Sequence, residues 1–298
     1  MSKIIPKPNF LIVGSAKCGT TTLASILDLH PDCCMSSPKE VSFFQDTINH
    51  KKNDNYNLGW SWYQKAFTHY NDEKVIGEAT PSYSDRRYSP NTAKRIFEFN
   101  GAIKIIYMVR NPLERQMSSW KMLYTWGIKN IYPGFKPAAW ALKGFEFWLE
   151  NQRDAGQWDI CNYEYQIGAY REFFSEEQIH VTFLEDWKQS QKDEVNKVLD
   201  FLGLEKNLTE QAIFKKENTG DRTHDILGNV KKLIYKTGVH KVIPNPIKSY
   251  LGAKTIKEIT YPEIDFSSDI VREFQNYIKT DSEAFLKTYN KPIDFWKL

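Results

Sequence analysis

Phe10-Leu-Ile-Val-Gly14-Ser-Ala-Lys17-Cys-Gly19-Thr20-Thr21-Thr22-Leu23 decides how this chain is read. The apolar run before Gly14 has the character of a buried strand. From Leu23, apolar residues recur at Ile26 and Leu27, the spacing of one helix face. Strand, glycine-bearing loop and helix, in that order, turn backbone N–H groups toward an anion. Gly14 and Gly19 let the backbone approach it, Lys17 adds a point charge, and Thr20, Thr21 and Thr22 add hydroxyl donors. Ser15, Ala16 and Cys18 complete the candidate loop. A plain structural turn between strand and helix has the same pattern, and from this stretch alone both readings stand. The two glycines have the spacing of the nucleoside-triphosphatase loop G-x-x-x-x-G-K-[ST], but residue 20 is Thr and the lysine sits earlier, at Lys17. The usual Lys-Ser/Thr pair, which serves a γ-phosphate and Mg²⁺, is therefore missing.

The remaining chain gives this loop a sheet to sit on. Lys74 to Ala79 reads as a second strand. Ile103 to Val109 is a near-continuous apolar run of the kind buried on both faces of a parallel sheet, and it ends in Arg110-Asn111-Pro112. Pro112 opens a helix striped by Leu113, Met117, Trp120 and Tyr124. Ile179 to Leu184 is another strand, and Ser190 to Leu202 an amphipathic helix stopped by Gly203. These alternations predict an α/β fold: one doubly wound parallel sheet of about five strands, a P-loop-like phosphate loop and flanking helices, in a single domain over residues 1–298. Ligands in such sheets bind beyond the carboxyl ends of the strands. Arg110 lies at such an end and Ser118 two turns into the next helix, so both can face an anion; an ion pair of Arg110 with Glu114 is the competing reading. A nucleoside triphosphatase places an Asp there to hold Mg²⁺, so an anionic nucleotide bound without a metal is expected.

Other stretches supply candidates. Ser36-Ser-Pro-Lys39-Glu40-Val-Ser42-Phe43-Phe44 sets a charged pair against an aromatic run. Glu40 is either half of a solvated Lys–Glu turn or a partly desolvated general base. Residues 126–158 are rich in Trp, Phe, Pro and Gly and read as an aromatic insertion or lid, or as a satellite hydrophobic cluster. Cys161 to Phe174 reads as a helix carrying Tyr163, a candidate cofactor contact. Residues 215–262 begin with a basic, turn-rich stretch holding Lys215, Lys216, Gly220, Arg222 and His224, able to fold over a phosphate or to remain a solvated charge run.

Composition narrows the class. Lys and Arg outnumber Asp and Glu by only 40 to 37, which argues against a general nucleic-acid binder. Four cysteines, two of them adjacent, form neither a disulfide framework nor a metal spacing. No run reaches the ~18 apolar residues that span a bilayer, and no signal-peptide core follows the first nine residues, so a cytoplasmic protein independent of the membrane is expected.

Taken together, four segments resemble the sulfotransferases that use 3′-phosphoadenosine 5′-phosphosulfate (PAPS), of heparan-sulfate type and of bacterial small-molecule type. Gly14-x-x-Lys17-x-Gly19-Thr20-Thr21 resembles their 5′-phosphosulfate loop. Lys39-Glu40-Val41-x-Phe43-Phe44 resembles the segment with the catalytic carboxylate. Gly77-Glu78-x-Thr80-Pro81-x-Tyr83 resembles their second strand, and Val109-Arg110-Asn111-Pro112-x-Glu114-Arg115-x-x-Ser118 their 3′-phosphate site. Weaker likeness runs through Asp200 to Leu204, the Asn218-to-Arg222 loop and Asp294-x-Trp296.

The resemblance implies that Lys17 and the loop amides hold the phosphosulfate, that Lys17 neutralises the leaving oxygen, that Arg110 and Ser118 bind the 3′-phosphate, and that Glu40 takes the acceptor proton. His224 is the second candidate for the base. Ser42, Phe43, Trp120, Tyr124, Trp140 and Trp148 are the candidate acceptor contacts. Two departures matter: Ala79 stands where many heparan-type members have Lys, and Ser42 where some have His. Both point away from a heparan-type cleft, toward a small-molecule acceptor such as a natural product. A glycan sulfotransferase, a P-loop nucleotide kinase and a non-catalytic nucleotide- or glycan-binding module are the alternatives.

Overall fold

The structure is a computed structural model that describes residues 4–48, 51–213 and 259–298. Five strands form its main sheet: β1 (Phe10–Gly14), β2 (Cys33–Met35), β3 (Val75–Ala79), β4 (Lys104–Val109) and β5 (Ile179–Phe183). Their order is β2-β3-β1-β4-β5, and every neighbouring pair is parallel. The chain first builds outward from β1 to β2 and β3, then crosses to β4 and β5. The direction reverses between β1 and β4, which places the ligand crevice beyond their carboxyl ends.

Alternation along β1 feeds two cores. Leu11 and Val13 face one layer with Ile105, Tyr107, Phe43, Phe44, Tyr63 and Tyr83. Phe10 and Ile12 face the other, where Leu23, Ile26 and Leu27 of α1 (Thr20–Leu27) meet a later helix through Val195, Val198 and Leu199. Both faces are covered, so β1 and β4 carry no polar alternation.

The other helices of six residues or more among the described residues follow in order: α2 (Thr92–Phe99), α3 (Pro112–Lys129), α4 (Lys136–Ala141), α5 (Phe145–Asp154), α6 (Tyr163–Arg171), α7 (Leu184–Gln189), α8 (Gln191–Leu202) and α9 (Asp269–Thr288). Gly203 ends α8 in the left-handed region at φ 76°, and Leu204 N–H donates back to Leu199 O at 2.8 Å. Among the described residues no helix is long and apolar enough to cross a membrane.

The expected sheet of about five parallel strands is present. The fifth strand is β2, whose three residues are too short to show a period. The stretch at 126–158 forms a hydrophobic cluster: its helices α4 and α5 pack with α3 and α9 around a third core holding Trp120, Phe145, Trp148, Trp158, Phe274 and Ile278. Lys215, Lys216, Gly220, Arg222 and His224 lie outside the described residues.

Candidate active site

The loop between β1 and α1 is gripped from beneath. Ser15 N–H donates to Met108 O at 2.7 Å, and Cys18 N–H to Ser15 O at 3.2 Å. A Cβ on Gly14 would lie 2.1 Å from Ser84 Oγ, so glycine alone fits there. Gly19 has φ 96°, and Lys17, although not glycine, has φ 71°. That left-handed region costs a side-chain-bearing residue ~1–3 kcal/mol and persists where its surroundings over-determine it. Here two arginines do so: Arg115 Nε donates to Ala16 O at 3.2 Å and Arg110 Nη1 to Lys17 O at 3.4 Å. Neither arginine is evident as a loop support in the sequence. Arg115 lies a helical turn into α3 and is 5% exposed.

Cations accumulate at this spot, and Lys17 among them has no carboxylate partner among the described residues. The nearest partner of Lys17 Nζ is Met122 Sδ, at 3.4 Å. Burial, followed by the charges of Arg115 and Arg110, holds the Lys17 ammonium below its ordinary pKa. Ser15 Oγ is buried with no hydrogen-bond partner among the described residues. The first turn of α1, carrying Thr20, Thr21 and Thr22, has no side-chain cap. By contrast α3 is capped by its own Asn111, whose side chain accepts from Leu113 N–H at 2.9 Å and Glu114 N–H at 3.1 Å. Of these two helix starts at the crevice, α1 keeps its donors for something else.

Arg110 follows β4 as expected, and the ion pair offered for it is present. Its Nη2 lies 2.5 Å from Glu114 Oε2, with Lys188 Nζ 3.3 Å from the same oxygen. Burial acts to raise the Glu114 carboxyl, but the hydrogen bonds and charges of Arg110 and Lys188 bring it below its ordinary value. Arg110 also borders a cavity of about 400 Å³ lined by Glu114, Met117, Ser118 and Lys121, and its Nε is buried without a partner among the described residues. Lys121 was not singled out in the sequence, although it follows Ser118 by three residues and so shares its helix face.

Tyr163, offered as a cofactor contact, lies in the core. It is 0% exposed; its hydroxyl donates to Arg110 O at 2.9 Å and lies 3.8 Å from Cys18 Sγ. It ties the loop to the end of β4 from the core side. Cys18 is buried too, and burial pushes its thiol up to about 12, so it is a packing residue and no nucleophile.

Glu40 sits over the carboxyl end of β3. Ala79 N–H donates to Lys39 O at 3.1 Å, fixing the segment to the strand. The desolvation expected of Glu40 is not found: its side chain is 53% exposed and Oε1 lies 2.7 Å from Lys39 Nζ. Ser42 is part-buried with φ 56°. The acceptor candidates divide. Phe43, Trp120 and Trp148 are at most 1% exposed, locked in the cores by stacking and edge contacts, and so form no cleft surface. Tyr124 and Trp140 are only partly buried. Periodicity marks an aromatic residue as facing inward but does not say whether a cleft or a core lies there.

Residues 7–238 match the family described as "Sulfotransferase domain". The chain belongs to that family. It is 32% identical over 177 residues to "Membrane-associated sulfotransferase kil1" of Dictyostelium discoideum, covering 58% of this chain and 33% of that protein. It is 28% identical over 214 residues to human "Heparan sulfate glucosamine 3-O-sulfotransferase 6", covering 70% of this chain and 55% of that one. The chain thus spans about a third to a half of the length of these relatives. Among solved structures, a sulfotransferase from Alicyclobacillus acidocaldarius superposes with a TM-score of 0.66 at 20% identity, over 99% of this chain and 100% of that one, which shows a shared fold.

Proposed function

We propose that this chain transfers the sulfuryl group of PAPS to a hydroxyl or amine of an acceptor, in line, with Glu40 as general base. The observation that supports it most is Lys17 at the end of β1, which among the described residues faces a thioether and no carboxylate, close to buried Arg115 and part-buried Arg110, beside a helix start without a side-chain cap. An anion at the loop restores a counter-charge to Lys17, and charge growing on the bridging oxygen during transfer is met there. Arg110, Ser118 and Lys121 supply the second anion site, for the 3′-phosphate. In-line transfer parallels phosphoryl transfer, where positioning and charge stabilisation do most of the work. Glu40, exposed at the neighbouring strand end, is free to meet an acceptor and take its proton.

For the acceptor, the reading is a small molecule carrying a ring, with Tyr124 and Trp140 as the contacts still exposed enough to reach it. A glycan acceptor is the second reading, favoured by the heparan sulfate sulfotransferases among the relatives. An acceptor screen separates them: PAPS with simple phenols, alcohols and amines, beside desulfated heparan oligosaccharides, scored by mass spectrometry for sulfate addition. Transfer to the small acceptors alone supports the first reading. Transfer to the oligosaccharides alone replaces it with the second, and no transfer to any of them counts against turnover.

A further inference from the structure

Directly beneath Glu40 lies a carboxylate with no part in the chemistry described so far. Glu78, in β3, is 0% exposed. Four donors converge on it. Tyr63 Oη and Tyr83 Oη donate to Oε1 at 2.6 and 2.7 Å; Thr80 Oγ1 and Val41 N–H donate to Oε2 at 2.6 and 3.1 Å. Burial raises its pKa, and these hydrogen bonds act to lower it. Such a network specifies one arrangement when every member is satisfied.

The outer members of this network hold the segment that carries Glu40. Val41 N–H bonds Glu78 itself. Ser42 N–H donates to Thr80 Oγ1 at 3.3 Å, and Phe43 N–H to Tyr83 Oη at 2.8 Å. Asn53 Nδ2 donates to Ser42 O at 2.7 Å. Three successive amides after Glu40 are therefore taken up by side chains, two of which are in turn oriented by Glu78. In the middle of the run Ser42 sits in the left-handed region. A residue with a Cβ stays there when its neighbours leave it no alternative.

We propose that Glu78 is a positioning residue for sulfuryl transfer: through Thr80 and Tyr83 it fixes residues 41–43 in the one conformation that presents Glu40 at the strand ends. This rests on the reading of Glu40 as the base. Glu78 touches neither acceptor nor donor, and its effect passes through the backbone next to Glu40. A base displaced by about 1 Å loses up to ~10²-fold in rate.

Replacing Glu78 leaves four buried donors unpaired and risks the fold, so the test goes through Thr80. Thr80→Val keeps the shape and removes the hydroxyl that links Glu78 to Ser42 N–H; Thr80→Ser keeps the hydroxyl. Thr182→Val is the control. Thr182 Oγ1 also bonds a buried carboxylate, Glu194 Oε2 at 2.7 Å, but in β5, away from Glu40. Turnover is measured with whichever acceptor of the screen is sulfated, together with the affinity for adenosine 3′,5′-bisphosphate, the melting temperature and amide exchange over residues 41–44. Thr80→Val is expected to lower kcat by ~10- to 10²-fold. Nucleotide affinity holds, exchange at 41–44 rises and Thr80→Ser recovers the rate. Thr182→Val loses melting temperature to a similar extent and keeps its kcat. In the double variant Glu40→Gln/Thr80→Val, kcat falls no further than in Glu40→Gln alone, because both act on one group. Wild-type kcat in Thr80→Val, or losses that multiply in the double variant, overturn the proposal. Wild-type turnover in Glu40→Gln alone overturns the base assignment itself, and that single variant tells the two failures apart.

Discussion

The two halves of the candidate site are built in opposite ways. On the β1 and β4 side, cations are concentrated: Lys17, with no carboxylate partner among the described residues, lies with Arg115 and the Glu114-paired Arg110 at a loop whose helix has no side-chain cap. On the β3 side, polar groups are satisfied almost completely: Glu78 accepts four hydrogen bonds and the segment above it spends three amides on side chains. The first half leaves Lys17 without a carboxylate among the described residues, which on the proposed function is a binding device. The second stores rigidity, which is a positioning device. A group transfer needs both, and the difference says which defects each half will show.

The largest expected effect is on the positioned side. Glu40→Gln keeps size and removes the base, so kcat should fall by ~10²–10⁴-fold while nucleotide affinity and melting temperature stay put. Turnover near wild type with a hydroxyl acceptor would erase the functional half of the contrast. On the charged side, Lys17→Ala should reduce kcat by ~10²–10³-fold and weaken binding of the product nucleotide by less, since the charge it meets grows in the transition state. A loss confined to donor affinity makes Lys17 a binding residue only. The same contrast has a pH signature. Because burial lowers Lys17 from the ordinary 10.5, it is cationic below that lowered value and neutral above it. Donor affinity should therefore fall on the alkaline side earlier than an exposed lysine would allow, and Lys17→Ala should flatten that limb. Titrating affinity against pH for both proteins checks the sign.

A smaller effect separates core from cleft. Trp148 has no exposed surface, so Trp148→Ala should destabilise by ~3–5 kcal/mol, seen in denaturant melts, whatever acceptor is present. Trp140, partly buried at the edge of the same cluster, should shift acceptor KM severalfold when replaced by Ala and leave nucleotide affinity unchanged. Equal behaviour of the two tryptophans would assign both to the core.

The fold was legible because β1 and β4 are apolar runs and β5 alternates apolar and polar residues, all in a βα alternation, and Gly203 and Pro112 punctuate their helices as local chemistry requires. Strand β2 was not, being three residues long. The proximity of Lys17 and Arg110 was legible in covalent order: they are close in space because β1 and β4 are neighbours, which the alternation anticipates. What lay beneath them was hidden. Arg115 reaches Ala16 O across 99 positions, and Glu78 collects donors from Val41, Tyr63, Thr80 and Tyr83; no sequence period encodes either convergence. Glu40 was found by its setting against Phe43 and Phe44, yet its exposure was misjudged, because the apolar run following it turns inward while the carboxylate stays out. For the tryptophans of 126–158 a lid and a hydrophobic cluster both stayed open, because a helical period does not distinguish a cleft from a core.

The account stands or falls on the charged half being a site for a nucleotide with a 3′-phosphate. Isothermal calorimetry in EDTA, comparing adenosine 3′,5′-bisphosphate with AMP and ADP, measures this without an acceptor. The expected result is tight binding of the bisphosphate and binding weaker by tenfold or more for the other two, about 1.4 kcal/mol or more for one additional charged contact. Equal affinities with and without the 3′-phosphate would contradict the assignment of Arg110, Ser118 and Lys121, and with it the identity of the donor.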